Sequence, residues 1–499
     1  MLWACLHIPD FSLQLLQRAA APVEPVIIRS GGNRPVVLSC DAQARSRGIA
    51  PGMKVSAAIA LTPDLVERHR DATGERHALE RIAGWAGQFS SMVSLNSPDA
   101  LLLEVEGSLR LFSGLRQIML RLSGGLNELG YTGAAAVAPT PTAAHLLARA
   151  GLHATVTDSA GLESALAGLP LALLDQPAET VRMLALAGVH TVGACLALPR
   201  DGLARRFGQS LVDELDRALG KLPDPRRPYE PPARYRARLA LPAPVHEIEP
   251  LLFAAKRLVL ELAGFLRTKQ AGVTRLKLAL RHEDRRPTVV ALGFSAPSRD
   301  PQRILRLLRE RLARLELPRR VESILLESEE ARPLDSRNLS LFPEDNVPEE
   351  ERSAVLDHLR ARLGVDAVYS IASHADHRPE LAWRACQIGA RGEPGAAEPS
   401  VAEPGVAEPG VAEYRAGGRP ERPLWLLDQP RRLQLEDEAP ALDGPLTLLA
   451  GPERIEGGWW DGNDVARDYF VAANGQGRRF WIFRERGVAN TWFLQGIFA

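Results

Sequence analysis

The sequence is poor in cysteine, in aromatic residues and in net charge. Its four cysteines, Cys5, Cys40, Cys195 and Cys386, lie far apart with no CxxC spacing. That pattern excludes a disulfide framework and a cysteine zinc site, and it fits a reducing cytoplasm. No apolar run reaches the roughly 18–20 residues that span a bilayer. The opening MLWACLHIPDF carries no basic stretch and no small-residue cleavage site, so it reads as a buried strand. Lys and Arg number 61, and Asp and Glu also number 61. The whole chain is therefore not a general polyanion binder, and any nucleic-acid surface must come from uneven charge along it.

What is there has a globular balance, 24% charged and 45% hydrophobic, which excludes collagen, coiled coil and wholesale disorder. At about 100–200 residues per domain, 499 residues predict three or four domains. Residues 1–165 read as α/β. Apolar runs at 2–8, 34–39, 101–105 and 133–138 are strands. Residues 40–62 hold a turn, GIAPGM, and a helix, VSAAIAL. Residues 76–92, 110–129 and PTAAHLLARAG are helical, the last closed by Gly151. These strands are apolar on both faces, as in a sheet covered on both sides.

Residues 166–225 are helical. Within them, MLALAGVHTVGACLAL makes two short helices joined through Gly188 and Gly193. Either this is a helix-hairpin-helix, whose glycines let backbone N–H groups approach a phosphate, or it is an ordinary αα-hairpin with a glycine turn. Residues 236–328 run β-α-β-β-α-β. Residues 251–320 contain 17 Lys and Arg against 6 Asp and Glu, a local excess of +11. Such a module could track a nucleic-acid backbone, with Arg275, Lys277, Arg285 and Arg286 as candidate contacts. The other reading is a set of solvated helix faces.

Residues 390–422 form a linker. Its repeat AAEPS-VAEPG-VAEPG-VAE has little apolar bulk and predicts an extended, mobile tether. Residues 423–499 carry five of the eight tryptophans and read as small and β-rich, with a hairpin near Asn474-Gly475.

Read together, these pieces resemble a Y-family translesion DNA polymerase over about residues 1–345. The segments VVLSCDAQARSRGIAPGMKVSAAIALTPDL, NSPDALLLEVEG and AVAPTPTAAHLLARAG follow the family's fingers, palm strand and palm helix. The resemblance implies an α/β and α+β multidomain fold. The palm covers 1–165 with fingers inserted at about 17–75. A helix-hairpin-helix thumb covers 166–235, and a little finger 236–335. A clamp-binding segment at 336–345 and a connecting segment at 346–389 follow, then the linker and a β-rich C-terminal region at 423–499.

The chemistry implied by that family fails residue by residue. Nucleotidyl transfer needs two Mg²⁺ ions, and Mg²⁺ wants carboxylates. The family supplies an Asp on its first strand and an Asp-Glu pair on the hairpin. Here those positions are His7, Asp99 and Ala100, so one carboxylate of three remains. Imidazole prefers Zn²⁺ or Cu²⁺, and His7 reads as a buried core histidine. Asp10 lies beyond Pro9, and Glu104 matches a family acid outside the metal site. The family's triphosphate Tyr is Ala42, although Arg45 remains. Its aromatic gate is Ser12, and its Asn-Lys pair is Thr140-Pro141. The resemblance thus implies a non-catalytic protein with no metal and no cofactor. The alternative is an active translesion polymerase with a rearranged metal site using Glu104 or Asp10.

Two further motifs imply partners. Asn338-Leu339-Ser340-Leu341-Phe342 resembles the bacterial sliding-clamp peptide. In that peptide a Leu and a Phe are apolar anchors and an amide bonds at the rim. The other reading is a loop anchored by two apolar residues. The tail, from GPERIEGGWWDG to WFLQGIFA, resembles that of the catalytically inactive Y-family-like proteins of bacterial mutagenesis cassettes. This resemblance implies an adaptor that binds DNA, the sliding clamp, an error-prone C-family DNA polymerase and a RecA-like accessory protein, with no membrane. The partner-binding candidates are Trp459, Trp460, Trp492, Phe493 and Phe498. The tryptophan pair is also expected to pack the small domain, while the extreme tail docks.

Overall fold

Every side chain of Trp3–His7 (β1) is buried, because both faces of its sheet are covered. The structure is a computed structural model. It describes residues 1–18, 24–283, 286–329, 331–334, 349–364, 367–386, 422–436, 438–487 and 491–498. Arg285, the segment Asn338–Phe342 and the repeat at 398–413 lie outside the described residues. The chain forms two compact units, Met1–Arg362 and Leu363–Ala499.

In the first unit α1 (Phe11–Gln17) leads into the fingers. These carry β2 (Val26–Arg29), β3 (Val37–Cys40), α2 (Ala42–Ser46), α3 (Val55–Leu61) and β4 (Val66–His69). β2 is central, antiparallel to β3 and parallel to β4. The palm resumes with α4 (Ala72–Ala86), β5 (Val93–Asn96), β6 (Ala100–Glu104), α5 (Leu115–Glu128), β7 (Ala134–Ala138) and α6 (Pro141–Arg149). Its sheet has the order β5-β6-β1-β7. One face, with Leu6, Leu101 and Leu103, packs with Ile82 and Trp85 of α4 and Ile118 of α5. The other face, with Cys5, Leu102 and Ala136, packs with Leu146 and Leu147 of α6 and with the thumb. Burial on both faces accounts for strands with no polar alternation.

The thumb comprises α7 (Leu162–Ala167), α8 (Ala178–Leu186), α9 (Val192–Leu196), α10 (Arg200–Phe207) and α11 (Gln209–Leu219). Gly188 makes the turn, with φ +81° and open space beside it. Gly193 behaves differently from the expectation. It lies inside α9, where a Cβ would press on the backbone of Ala167. It is a packing glycine rather than one that opens the backbone to a phosphate.

The little finger follows the expected order: β8 (Arg236–Val245), α12 (Ile248–Thr268), β9 (Ala271–His282), β10 (Thr288–Ser298), α13 (Pro301–Ala313) and β11 (Val321–Ser328). The strands lie in the antiparallel order β10-β9-β11-β8, and β12 (Arg332–Pro333) pairs with β9. Leu276, Leu278, Ile324 and Leu326 face α12 and α13 in one core. The expected connecting segment 346–389 is divided between the two units. Its first part is α14 (Glu349–Leu363), which belongs with the little finger because Asp357 and Ala361 are buried there. The Asp357 carboxylate accepts the Ser295 N–H at 2.8 Å and pairs with Arg303.

In the second unit β13 (Ser370–Ser373) pairs with β14 (Trp383–Cys386). Then come β15 (Trp425–Arg432), β16 (Gln434–Glu436), β17 (Ala439–Ala441), β18 (Thr447–Gly457), β19 (Val465–Ala473), β20 (Arg479–Glu485) and β21 (Trp492–Ile497). The main sheet has the order β15-β21-β20-β19-β18. Asn474-Gly475 lies in the loop joining β19 to β20, where Asn474 Oδ1 accepts from the N–H groups of Gln476 and Arg478. The terminal run is an interior strand and not a free tail, because β21 is hydrogen-bonded on both edges. Trp492 and Leu494 are buried, and Phe493 stacks on Phe483. Phe498 is half-buried at the edge of the same cluster. The tryptophan pair also departs from expectation. Trp459 and Trp460 are 78% and 54% exposed, so they do not pack a core.

Candidate functional site

β1 and β6 pair so that His7 faces Ala100. The Ile8 N–H donates to the Asp99 carbonyl at 2.8 Å, which fixes the ends of both strands together. His7 Nε2 then lies 3.5 Å from Asp99 Oδ2. Burial opposes ionisation of Asp99. The hydrogen bond and charge of His7, with Arg149 and His145 behind, outweigh it and hold the carboxyl below its ordinary value. Ala100 is fully buried among the side chains that pack against α6. A Glu at this position would bury an acid in an apolar cluster.

The other acids are engaged elsewhere. Glu104 pairs with Trp3 at the opposite end of β1, and its Oε1 accepts from the N–H groups of Leu2 and Glu106. Glu106 pairs with the amino group of Met1 at 2.7 Å. Asp10, in the left-handed conformation, lies 3.7 Å from Arg45. Ser12 donates to Glu75, and Arg70 holds the same carboxylate at 2.8 Å. Asp10, Ser12, Arg70 and Glu75 line a small cleft of about 170 Å³ with Leu38, Ser39 and Asp99. Ala42 lies exposed on α2, beside Arg45. Among the described residues no group of three or more His, Cys, Asp or Glu could hold a metal ion. One imidazole and one paired carboxylate do not fit the carboxylate set that two Mg²⁺ ions require.

Sequence reasoning missed a cluster at the start of α6. Thr140 caps this helix, its hydroxyl accepting from the Ala143 N–H. Pro141 occupies the first turn, where a missing N–H costs nothing. The backbone and hydroxyl of Thr142 both donate to Asp224, at 3.1 and 2.8 Å. Arg226 reaches Asp224, Thr142 and Asn96. The positive end of α6 is thus filled by a carboxylate of this chain. Further along α6, burial first, then Arg149, His7 and Arg226, push the His145 imidazole down to about 4.

The second candidate site is the open face of the little-finger sheet. Arg236 and Arg238 on β8, and Arg275, Lys277 and Arg281 on β9, are exposed and alternate with buried apolar residues. The register sets Arg236 and Lys277 on either side of Glu327. Arg236 pairs with Glu327 at 2.8 Å and Arg275 with Glu329 at 3.8 Å, both at the surface. Exposed pairs of this kind are worth little and can be exchanged for other anions. Clefts of about 570 Å³ and 770 Å³ run beside the face and share Arg234 and Arg236. Arg286 is exposed at the start of the β10 side. The period-2 pattern Arg236-Ala-Arg238-Leu was available in the sequence as a sign of outward cations.

Residues 10–149 match the model of the impB/mucB/samB family. Protein ImuB of Caulobacter vibrioides (strain NA1000 / CB15N) is 29% identical over 476 residues, covering 90% of this chain and 100% of that protein. The chain is similar to that protein over most of its length. Protein ImuB of a second C. vibrioides strain, ATCC 19089, matches to the same extent. Among solved structures, DinB from Sulfolobus solfataricus is 18% identical over 67% of this chain and all of its own, with TM-score 0.37. The insertion ternary complex of Dbh DNA polymerase is 17% identical over the same shares, with TM-score 0.39. No helix among the described residues is long and apolar enough to cross a membrane.

Proposed function

We propose that this protein is an ImuB-like, non-catalytic, Y-family polymerase-like adaptor of damage-induced translesion synthesis and mutagenesis. It binds DNA and the sliding clamp. It recruits an error-prone C-family DNA polymerase and a RecA-like accessory protein. The observation that carries the reading is the reacting centre, where Asp99 is paired with His7 at 3.5 Å and Ala100 is sealed into the core. Glu104 cannot replace the missing ligands from the opposite end of the strand, so nothing favours the active-polymerase alternative.

The DNA role is supported by the cationic open face of the little-finger sheet, which suits a phosphate backbone without base readout. The clamp role rests on the motif Asn338–Phe342 and on its place in the chain. It falls between β12 and α14, both of which pack on the little finger. The polymerase and accessory roles rest on the resemblance of the tail and on the exposed Trp459 and Trp460.

Primer extension tests the reading, with Mg²⁺ and then Mn²⁺, using the protein alone and with its partners. No extension by the isolated protein is expected. Extension that Asp99→Ala abolishes would overturn it. A clamp pull-down tests the motif. Losing Leu341 and Phe342 together should abolish clamp capture, since each anchor is typically worth about 2 kcal/mol or more. Capture unaffected by the double Ala change would reduce the motif to a loop.

A further inference from the structure

The little finger is joined to the palm by a charge cluster centred on a fully buried carboxylate. Glu261, in the middle of α12, has no exposed surface. Arg18 Nη2 reaches one of its oxygens at 2.5 Å, and Arg81 Nε reaches the other at 2.9 Å. The Tyr235 hydroxyl donates to it at 3.0 Å. Arg18 is itself 1% exposed, donates to the Leu129 carbonyl at 2.7 Å and lies over the Tyr131 ring. Burial opposes the charge on Glu261, but the two guanidiniums outweigh it and hold the carboxyl below its ordinary value.

The two arginines flank one insertion, Arg18 at its start and Arg81 on the palm helix that follows it. Arg18 caps α1, where the chain leaves the palm for the fingers. Arg81 is the tenth residue of α4, the helix that takes up the chain three residues after β4. Alongside the charges, α4 and α12 meet closely. A Cβ on Gly264 would press on the Trp85 ring, and one on Gly87 on Thr268. The Thr268 hydroxyl donates to the Gly84 carbonyl across the seam at 2.8 Å.

Apolar side chains of similar volume would seal such a seam at no loss of stability, because burying charge is costly. Charges do what apolar residues do not: they tie specific atoms together. We propose that Glu261 is a clasp, in which one buried carboxylate of the little finger pins both roots of the fingers, so that little finger and fingers shift together. A load on the cationic sheet face would then reach the fingers through α12, with no contact between the sheet and the fingers needed.

Hydrogen–deuterium exchange on the full chain, without DNA or partners, tests the clasp. Glu261→Gln should leave two guanidiniums without a counter-charge. Exchange should rise about tenfold or more in α12, α4, β2 and β4 together, while α8–α11 of the thumb keep their rates. Faster exchange in α12 with unchanged β2 and β4 would overturn the coupling, as would no change anywhere. If Glu261→Gln loosens the thumb as well, the milder Arg81→Gln decides, since it leaves Arg18 on Glu261. The joint pattern in α12, α4 and the fingers strands supports the clasp, and wild-type rates there overturn it.

Discussion

His7 and Asp99 sit 3.5 Å apart where two palm strands end side by side. This pair is a self-contained contact between the two strands. The carboxylate finds its partner within the chain.

The first prediction follows from that pairing. Asp99→Ala should leave damage-induced mutagenesis nearly unchanged, because no pair of metal ions is lost with it. Mutation frequency after DNA damage, in cells carrying only the variant, checks it. A fall to the level of a strain lacking the protein would show that Asp99 does chemistry.

A second prediction concerns acid. The His145 imidazole is held down to about 4 by burial, then by Arg149 and His7. The unfolded chain takes up that proton near the ordinary value of about 6.5. Between these values the unfolded state binds more protons, so stability is fully present above about pH 6.5 and is lost as pH falls toward 4. At pH 5 the loss from this residue should be on the order of 2 kcal/mol. His145→Gln should flatten the decline. Urea midpoints at pH 7 and pH 5 for both proteins check it, and parallel declines would contradict it.

Much of this molecule could be read without coordinates, for a physical reason. β1, β6 and β7 are unbroken apolar runs because both faces of the palm sheet are covered. The β-α-β-β-α-β order of the little finger is marked by a change of period from 2 to 3.6. That positions 7 and 100 carry His and Ala instead of carboxylates is visible because residue type at a fixed register is read directly. The fingers strands β2 and β4 were not legible. They are four residues each, and Val66–His69 is a polar, partly exposed edge with no alternation. Asp224 and Glu261 were not legible either, because each acts on residues far away in the chain. The tail misled for the opposite reason. An apolar chain end looks like a docking peptide, but pairing on both edges makes β21 an interior strand.

Salt provides the third prediction. Binding to duplex DNA should show little sequence preference. Its log–log salt slope should be about −0.9 per phosphate contacted. Replacing Arg236, Arg238, Lys277 and Arg281 by Gln should flatten the slope by several contacts, because all four are exposed on one sheet face. The apolar core beneath, with Leu239, Leu276 and Leu278, stays untouched, so the fold should persist. An affinity that does not vary with salt, or a slope unchanged in the variant, would place the DNA elsewhere.

The last prediction separates core from surface in the second unit. Trp492 lies in β21 between two strands, with its ring 5.3 Å from Phe470 and only 8% of its surface exposed. Trp492→Ala should cost about 3–5 kcal/mol, the usual loss for a large aromatic cut from a core. Trp459 and Trp460 differ in kind. They stand edge to face, 5.6 Å apart, on a turn held from behind. Arg378, itself buried, holds Asp376 at 2.8 Å and Asp461 at 2.6 Å and lies beside the Trp460 ring. Exposed aromatics kept in place at so little entropic cost are the usual anchors of protein interfaces. Trp459→Ala with Trp460→Ala should therefore leave the unfolding midpoint within about 0.5 kcal/mol of wild type. The same double change should abolish recruitment of the C-family polymerase or of the accessory protein. Unfolding by tryptophan fluorescence and co-purification with each partner read the two effects separately. If the double variant unfolds early, the pair is structural. If it still recruits both partners, the docking surface lies on another face of this unit.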